Sequence, residues 1–219
     1  MAAAIHRQIL KGEIPVGTWL RHESLAKEFG ISRTPVREAL RVLNAQGIVT
    51  IVRNRGARVD GHSSHDVLEI GVVRAELEGL AAELAAERID DDQIVQLDNA
   101  LQAFRQIATS VSVDDDVAAK WVQANELFHA VILEAAGNRH LTTSIKELRR
   151  KLPHNLSYGG YKGNSRLLNK NVQEHTEIAD AIKAQDGAAA RRLMSAHIRS
   201  SNETTARWVE QNATHRSIS

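Results

Sequence analysis

Cysteine is absent from the 219-residue chain. That excludes disulfide staples, a thiolate nucleophile and thiolate metal sites, and it is compatible with a reducing compartment. Proline occurs three times and aromatic residues make up 4%, so few positions break a helix and few favour a strand. With abundant Ala, Leu, Glu and Arg, this composition predicts a mainly α protein. No apolar run approaches the roughly 18 residues of a membrane span, and the N-terminus lacks the apolar core of a secretory leader. A cytoplasmic location with no membrane partner is the corresponding expectation. The length suffices for one large or two modest domains with buried cores.

A strong charge of one sign is also missing, but only in the total. The net charge is +1, yet residues 1–60 hold ten Lys/Arg against five Asp/Glu, and residues 61–219 hold eighteen against twenty-two. A basic N-terminal part joined to a mildly acidic remainder points to a polyanionic partner for the first part alone.

Within the basic part, the stretch Ser32 to Asn44 separates into two faces when wound at 3.6 residues per turn. Val36, Leu40 and Leu43 fall on one side, and Arg33, Arg37 and Arg41 on the other. Ser32 or Thr34 can cap its N-terminus, and Pro35 lies in the first turn, where its missing N–H is harmless. Such a helix fits a DNA major groove, and it equally fits a protein surface with a solvated basic face. The flanks favour the first reading. Glu23 to Phe29 predicts a short helix with Leu25, Ala26 and Phe29 inward, closed by Gly30 as a left-handed cap. Helix, tight turn and second helix make a helix-turn-helix, with the second helix as reader. After Gly47 the period changes to 2. Residues 48–52 and 57–59 predict a hairpin whose tip, Arg53-Asn54-Arg55-Gly56, carries the arginines of a DNA-contacting wing.

Residues 61–65 read as a linker. Beyond it the periodicity is helical, with helices expected over about 65–88, 90–108, 114–136, 139–151, 166–184 and 186–212. In the first of these, Val67, Ile70, Val73, Leu77, Leu80 and Leu84 form the expected inward face. In the last two the apolar sets include Ile178, Ala181 and Ile182, then Leu193, Ala196 and Trp208. Residues 153–164 form an irregular stretch. Asn125 and His129 share a helix face at i, i+4, and His175 and His197 lie on later helices. Taken singly, each His reads as a surface or satisfied core residue.

These residues resemble a known family. Gly12, Gly17, Leu20, Leu25-Ala26, Gly30-Ile31 and the run Ser32-Arg33-Thr34-Pro35-Val36-Arg37-Glu38-Ala39-Leu40, with Arg55-Gly56 and Val59, resemble the winged helix-turn-helix domain of the GntR superfamily. The helical remainder is similar to the FCD ligand-binding domain of its FadR subfamily at Arg74, Glu78, Phe128-His129, Gly137-Asn138, Glu174-His175 and His197. The implied architecture is mainly α: a winged helix-turn-helix with a short β-hairpin wing over 1–60, a linker over 61–65, and an all-helical effector-binding and dimerisation bundle over 66–213.

The resemblance implies a non-enzymatic, ligand-responsive transcriptional repressor that binds a palindromic double-stranded operator as a homodimer. Arg33 and Arg37 become the base readers, Ser32 and Thr34 phosphate contacts, and Arg41 a supporting contact. Arg53, Arg55 and Gly56 belong to the wing. Glu23 departs in charge from the basic residue some members carry there. The resemblance also gathers Asn125, His129, His175 and His197 into a site for a divalent transition metal, with Zn²⁺ as default and Ni²⁺ or Mn²⁺ as alternatives. Asn125 stands where Asp is commoner, so the site has one negative charge fewer. That favours an anionic effector, a small organic acid. Arg74 is a candidate carboxylate clamp, or else a structural partner of Glu78 at i, i+4. Arg149 and Tyr158, with Tyr161, flank the irregular stretch as candidate effector contacts. Two other readings stay open at this point: a metal-dependent enzyme with a vestigial DNA-binding domain, and an architectural DNA binder without an effector.

Overall fold

The computed structural model describes residues 1–10, 13–53, 55–60, 63–109, 115–152, 158, 160–161 and 163–214. The chain divides into two compact units, Met1–His62 and Ser63–Ser219.

The first unit holds helices α1 (Ala2–Leu10), α2 (His22–Phe29) and α3 (Arg33–Ala45) with strands β1 (Trp19–Leu20), β2 (Val49–Val52) and β3 (Gly56–Val59). Ile5, Leu25, Val36, Leu40 and Leu43 from the helices meet Val49, Ala57 and Val59 from the sheet in one core. Gly30 ends α2 in the left-handed region at φ 65°, and the Ile31 amide bonds back to the Ala26 carbonyl at 3.0 Å. Ser32 stands at the N-cap of α3, although its hydroxyl makes no capping bond. The expected hairpin gains a third strand. β1 pairs antiparallel with β3, Leu20 opposite Ala57, to give the order β1-β3-β2. Two residues are too few for an alternating pattern, so the sequence reading missed it.

The second unit is helical among the described residues: α4 (Ser64–Arg88), α5 (Asp91–Thr109), α6 (Asp115–Ala135), α7 (Arg139–Arg150), α8 (Ser165–Lys183) and α9 (Gly187–Thr214). Capping residues set several boundaries. Ser63 and Asp66 exchange hydrogen bonds as a capping box, so Ser64 and His65 are helical rather than linker; residues 61–62 lie outside the described residues. Asp90 and Gln93 do the same for α5, and Asn138 and Asn164 cap α7 and α8. Most of the stretch 153–164 lies outside the described residues.

The buried face of α4 differs from the expected one. Val67 is covered, but Ile70, Leu77, Leu80 and Leu84 are half-buried and Val73 is 49% exposed. Besides Val67, the fully covered positions are Gly71, Ala75, Glu78, Gly79, Ala81, Ala82, Ala85 and Ala86. The reason is the close approach of α9 along α4. A Cβ on Gly71 would stand 2.7 Å from Asn202 Cβ, one on Gly79 2.2 Å from Ser195 Oγ, and the Ser195 hydroxyl donates to the Ala75 carbonyl at 2.9 Å. Small residues win that face because backbones, not long side chains, meet there. On α9 the same packing leaves Ala196 exposed and turns Met194, His197 and Ile198 inward.

Candidate DNA-reading surface and buried histidine centre

In the first unit α3 separates its faces as the sequence predicts. Val36, Leu40 and Leu43 have no exposed surface, whereas the side chains of Arg33, Arg37 and Arg41 are 72%, 57% and 63% exposed. Carboxylates accompany all three. Glu23 on α2 lies 2.9 Å from Arg33, and Glu38 lies 2.9 Å from Arg41 and 3.9 Å from Arg37. Ser32, Thr34, Arg53 and Arg55 are exposed, and Asn54 lies outside the described residues. Gly56 differs from its neighbours. It is buried at φ 100°, and a Cβ there would stand 2.4 Å from the Leu20 carbonyl oxygen. The close approach of the Leu20 carbonyl on the paired strand β1 accounts for this glycine.

In the second unit α6, α8 and α9 bring His129, His175 and His197 together. All three are buried, and one ring nitrogen from each lies within 4.8 Å of the others. The opposite nitrogens are committed. His175 Nδ1 donates to the Asn171 carbonyl at 2.8 Å, His197 Nδ1 to Glu174 at 2.9 Å and His129 Nδ1 to Glu78 at 3.2 Å. A carbonyl or carboxylate oxygen can only accept, so each Nδ1 carries a proton, and in the neutral ring the lone pair is on Nε2. His175 Nε2 is buried with no hydrogen-bond partner among the described residues. Burial, followed by the nearby Arg149 charge, lowers His129 to about 3. Burial and then the imidazoles of His197 and His129 hold His175 well below its ordinary value. Converging imidazoles, each held through Nδ1, are the arrangement a transition metal requires of histidine ligands.

Glu78 organises the centre, a role the sequence reading gave it only as a partner of Arg74. It is 2% exposed and accepts from Arg74 Nε at 2.8 Å, from His129 and from the Arg149 guanidinium. Burial alone would raise its pKa, but Arg149 and Arg74, then His129, hold it well below the carboxylate range. Glu174 shows the same balance: burial opposes its charge, while His197 and Lys170 keep its pKa low.

An open pocket adjoins the centre. Arg74, Asn125, His129, Arg149 and His197 line it, so both arginines pair with Glu78 and still border the cavity. Asn125 sits one turn before His129 on α6, as the spacing predicts. Tyr158 does not line the pocket. It is buried in the core with its ring 6.2 Å from that of Trp121, and Tyr161 takes the pocket position instead. The irregular stretch has no period from which that choice could be read. Asn171, which also lines the pocket, carried no signal beyond its place one turn before His175.

Comparison with known proteins agrees with this architecture. Residues 1–59 match the bacterial regulatory proteins of the gntR family and residues 69–200 match the FCD domain. The chain therefore belongs to the GntR family of transcriptional regulators, in its FadR-like branch with an N-terminal helix-turn-helix and a C-terminal FCD domain. It is similar to the uncharacterized HTH-type transcriptional regulator YdhC of Bacillus subtilis (strain 168), at 28% identity over 193 residues covering 88% of this chain and 84% of that one. It is also similar to the HTH-type transcriptional repressor RspR of Escherichia coli (strain K12), at 26% identity covering 95% and 89%. Among solved structures, E. coli McbR/YncC shares the fold with a TM-score of 0.70 at 24% identity, covering 91% and 92%. YdhC and RspR are named as transcriptional regulators rather than enzymes, and the gntR-type helix-turn-helix gives the chain its DNA-binding activity.

Proposed function

We propose that the protein is a homodimeric, ligand-responsive repressor. Two copies of the first unit read an inverted repeat, and the second unit pairs the copies and binds a small organic acid beside a divalent transition metal. The observation that carries this reading is the buried convergence of three imidazoles, with His175 Nε2 unpartnered among the described residues. Leaving such a group unpaired costs about 1–3 kcal/mol, and a metal removes that cost. His129, His175 and His197 would hold the ion and Asn125 supplies a neutral oxygen beside them. Nitrogen-rich ligands suit Zn²⁺, with Ni²⁺ or Mn²⁺ as alternatives, over Mg²⁺ or Ca²⁺. A bound ion would supply a positive charge for a carboxylate. Arg74 and Arg149 share a single Glu78, so the pocket wall favours an anion even without it.

In the first unit, Arg33 and Arg37 would read guanine edges, with Ser32, Thr34 and Arg41 on phosphates and Arg53 and Arg55 in the wing. Effector binding changes operator affinity only through different affinities for two arrangements of the reading heads. The names of relatives support repression: besides RspR, a probable D-xylose utilization operon transcriptional repressor of Paenarthrobacter nicotinovorans is 27% identical over 191 residues.

Elemental analysis of purified, dialysed protein tests the metal, with about one transition ion per chain expected. A content near zero, with no thermal shift on adding Zn²⁺, Ni²⁺ or Mn²⁺, overturns that part. Footprinting on DNA from the protein's own promoter should protect a palindrome, and an unprotected or single half-site overturns the dimeric operator.

A further inference from the structure

The ion pair between Glu23 and Arg33 joins the N-terminal turns of α2 and α3, with Arg33 Nη2 2.9 Å from Glu23 Oε1 and both side chains 72% exposed. That exposure limits what the pair adds to stability. Phosphate binding does not explain the carboxylate either, because a negative charge on a DNA-facing surface opposes contact with the backbone. Helix electrostatics account for half of the pair. Glu23 suits the first turn of α2, whereas Arg33 opens α3, where the helix dipole disfavours a cation. Glu38 is a different case. It belongs to α3 itself, and its Oε1 is shared between Arg41 at 2.9 Å and Arg37 at 3.9 Å.

One ion pair leaves capacity on both partners. A guanidinium has several N–H donors and a carboxylate several lone-pair sites. Arg33 can pair with Glu23 and still present a fork of donors to guanine N7 and O6. The remaining lone pairs of Glu23 call for a donor, and the major groove offers two, the amino groups of cytosine and adenine. Adenine sets its N7 lone pair beside the amino group, which repels a carboxylate. Cytosine presents its amino group without an acceptor of its own. The two charged groups stand 2.9 Å apart, close to the base-pair rise of about 3.4 Å, so they match neighbouring base pairs.

We propose that Glu23 is a specificity-determining residue that accepts from the amino group of a cytosine in the base pair next to the guanine read by Arg33. The pair reads a two-base step, and its negative member selects by repelling the other bases as well as by attracting cytosine. This rests on the DNA reading assigned to α3 above and adds a base contact from α2.

Selection of the full-length protein and its variants on a random duplex library, at one salt concentration, tests it. Sites enriched by the unaltered protein should carry a guanine that Arg33→Ala no longer selects and, one base pair away, a cytosine favoured about fivefold or more. Glu23→Ala should reduce that cytosine preference to about twofold or less. Glu23→Gln, which keeps the size of the side chain, should admit adenine at the same position, because an amide pairs with adenine N6 and N7. No cytosine beside the guanine, a cytosine preference that survives Glu23→Ala, or continued rejection of adenine by Glu23→Gln each overturns the proposal. In those cases the loss of guanine selection in Arg33→Ala leaves α3 standing as the reader. If Arg33→Ala selects the same sites as the unaltered protein, the assignment of Arg33 as a reader fails and takes this one with it.

Discussion

His129 Nδ1 lies 3.2 Å from Glu78, a carboxylate on another helix that also holds two arginines. One buried group thus fixes a histidine tautomer and restrains the cationic side of the pocket. Glu78→Gln keeps the size and removes the charge that Arg74 and Arg149 share. Breaking a buried ion pair costs roughly 3–5 kcal/mol, and losing an outer carboxylate of a metal-bound histidine lowers metal affinity about 10–100-fold. Urea unfolding and competition with a chromophoric chelator measure the two effects separately.

Stability of the metal-free protein should fall with pH. His129 and His175 have folded-state pKa values below those of the unfolded chain, His129 at about 3. The unfolded state therefore binds protons first, and the contribution is intact above the unfolded value of about 6.5 and is lost as pH falls through it toward the folded value. Both groups act in the same direction, so their contributions to the decline add as the pH falls below about 6.5. Urea midpoints at pH 7, 6 and 5, with chelator present, should show the decline, and His175→Gln should flatten it.

The reading helix predicts a contrast between specificity and salt dependence. Arg33→Ala and Arg37→Ala should each cost about 1–3 kcal/mol of operator discrimination. Arg53→Ala should weaken operator and random duplex alike and reduce the salt slope by about 1. Glu23 carries a negative charge 2.9 Å from Arg33. Glu23→Gln should strengthen binding to random duplex and narrow the gap between operator and non-operator DNA. Fluorescence anisotropy at several salt concentrations, on a duplex selected from a random library, reads all four.

Two glycines of the first unit separate backbone conformation from steric contact. Gly30 has φ 65°, and a Cβ there would meet nothing within 4 Å, whereas at Gly56 the same atom would meet the Leu20 carbonyl at 2.4 Å. Gly30→Ala should cost about 1 kcal/mol, the penalty of a left-handed conformation alone. Gly56→Ala should cost more, because β1 must also move. Thermal unfolding of the two variants side by side checks the order.

Helix positions and the opposed faces of α3 were readable because periodicity and capping are local. Ser63, Asp90, Asn138 and Asn164 mark helix starts within a few residues, and the arginine and aliphatic stripes of α3 need only the 3.6-residue turn. The inward face of α4 is legible only in part: Val67, Ile70, Leu77, Leu80 and Leu84 pack on two smaller cores, while Val73 is exposed and the most deeply covered face is made of small residues. Its leucines outweigh its glycines in hydrophobicity, but close packing rewards the absence of side chains at Gly71 and Gly79. The histidines stood out as residue types, while Glu78, Glu174 and Asn171 did not, since helices carry many Glu and Asn residues on their solvated faces.

The sequence by itself determined a helix-turn-helix with a basic reading face, a following wing and a helical remainder, because propensity, periodicity and turn chemistry act over a few residues. Only the tertiary structure decided which nitrogen each histidine presents, which glutamate the two arginines share, and that Tyr161 rather than Tyr158 borders the pocket. Apart from the one-turn contacts Arg74–Glu78 and His175–Asn171, those choices join groups distant in sequence, 71 residues apart in the pair Glu78 and Arg149. Their hydrogen bonds form only where packing removes water, and no local pattern encodes that.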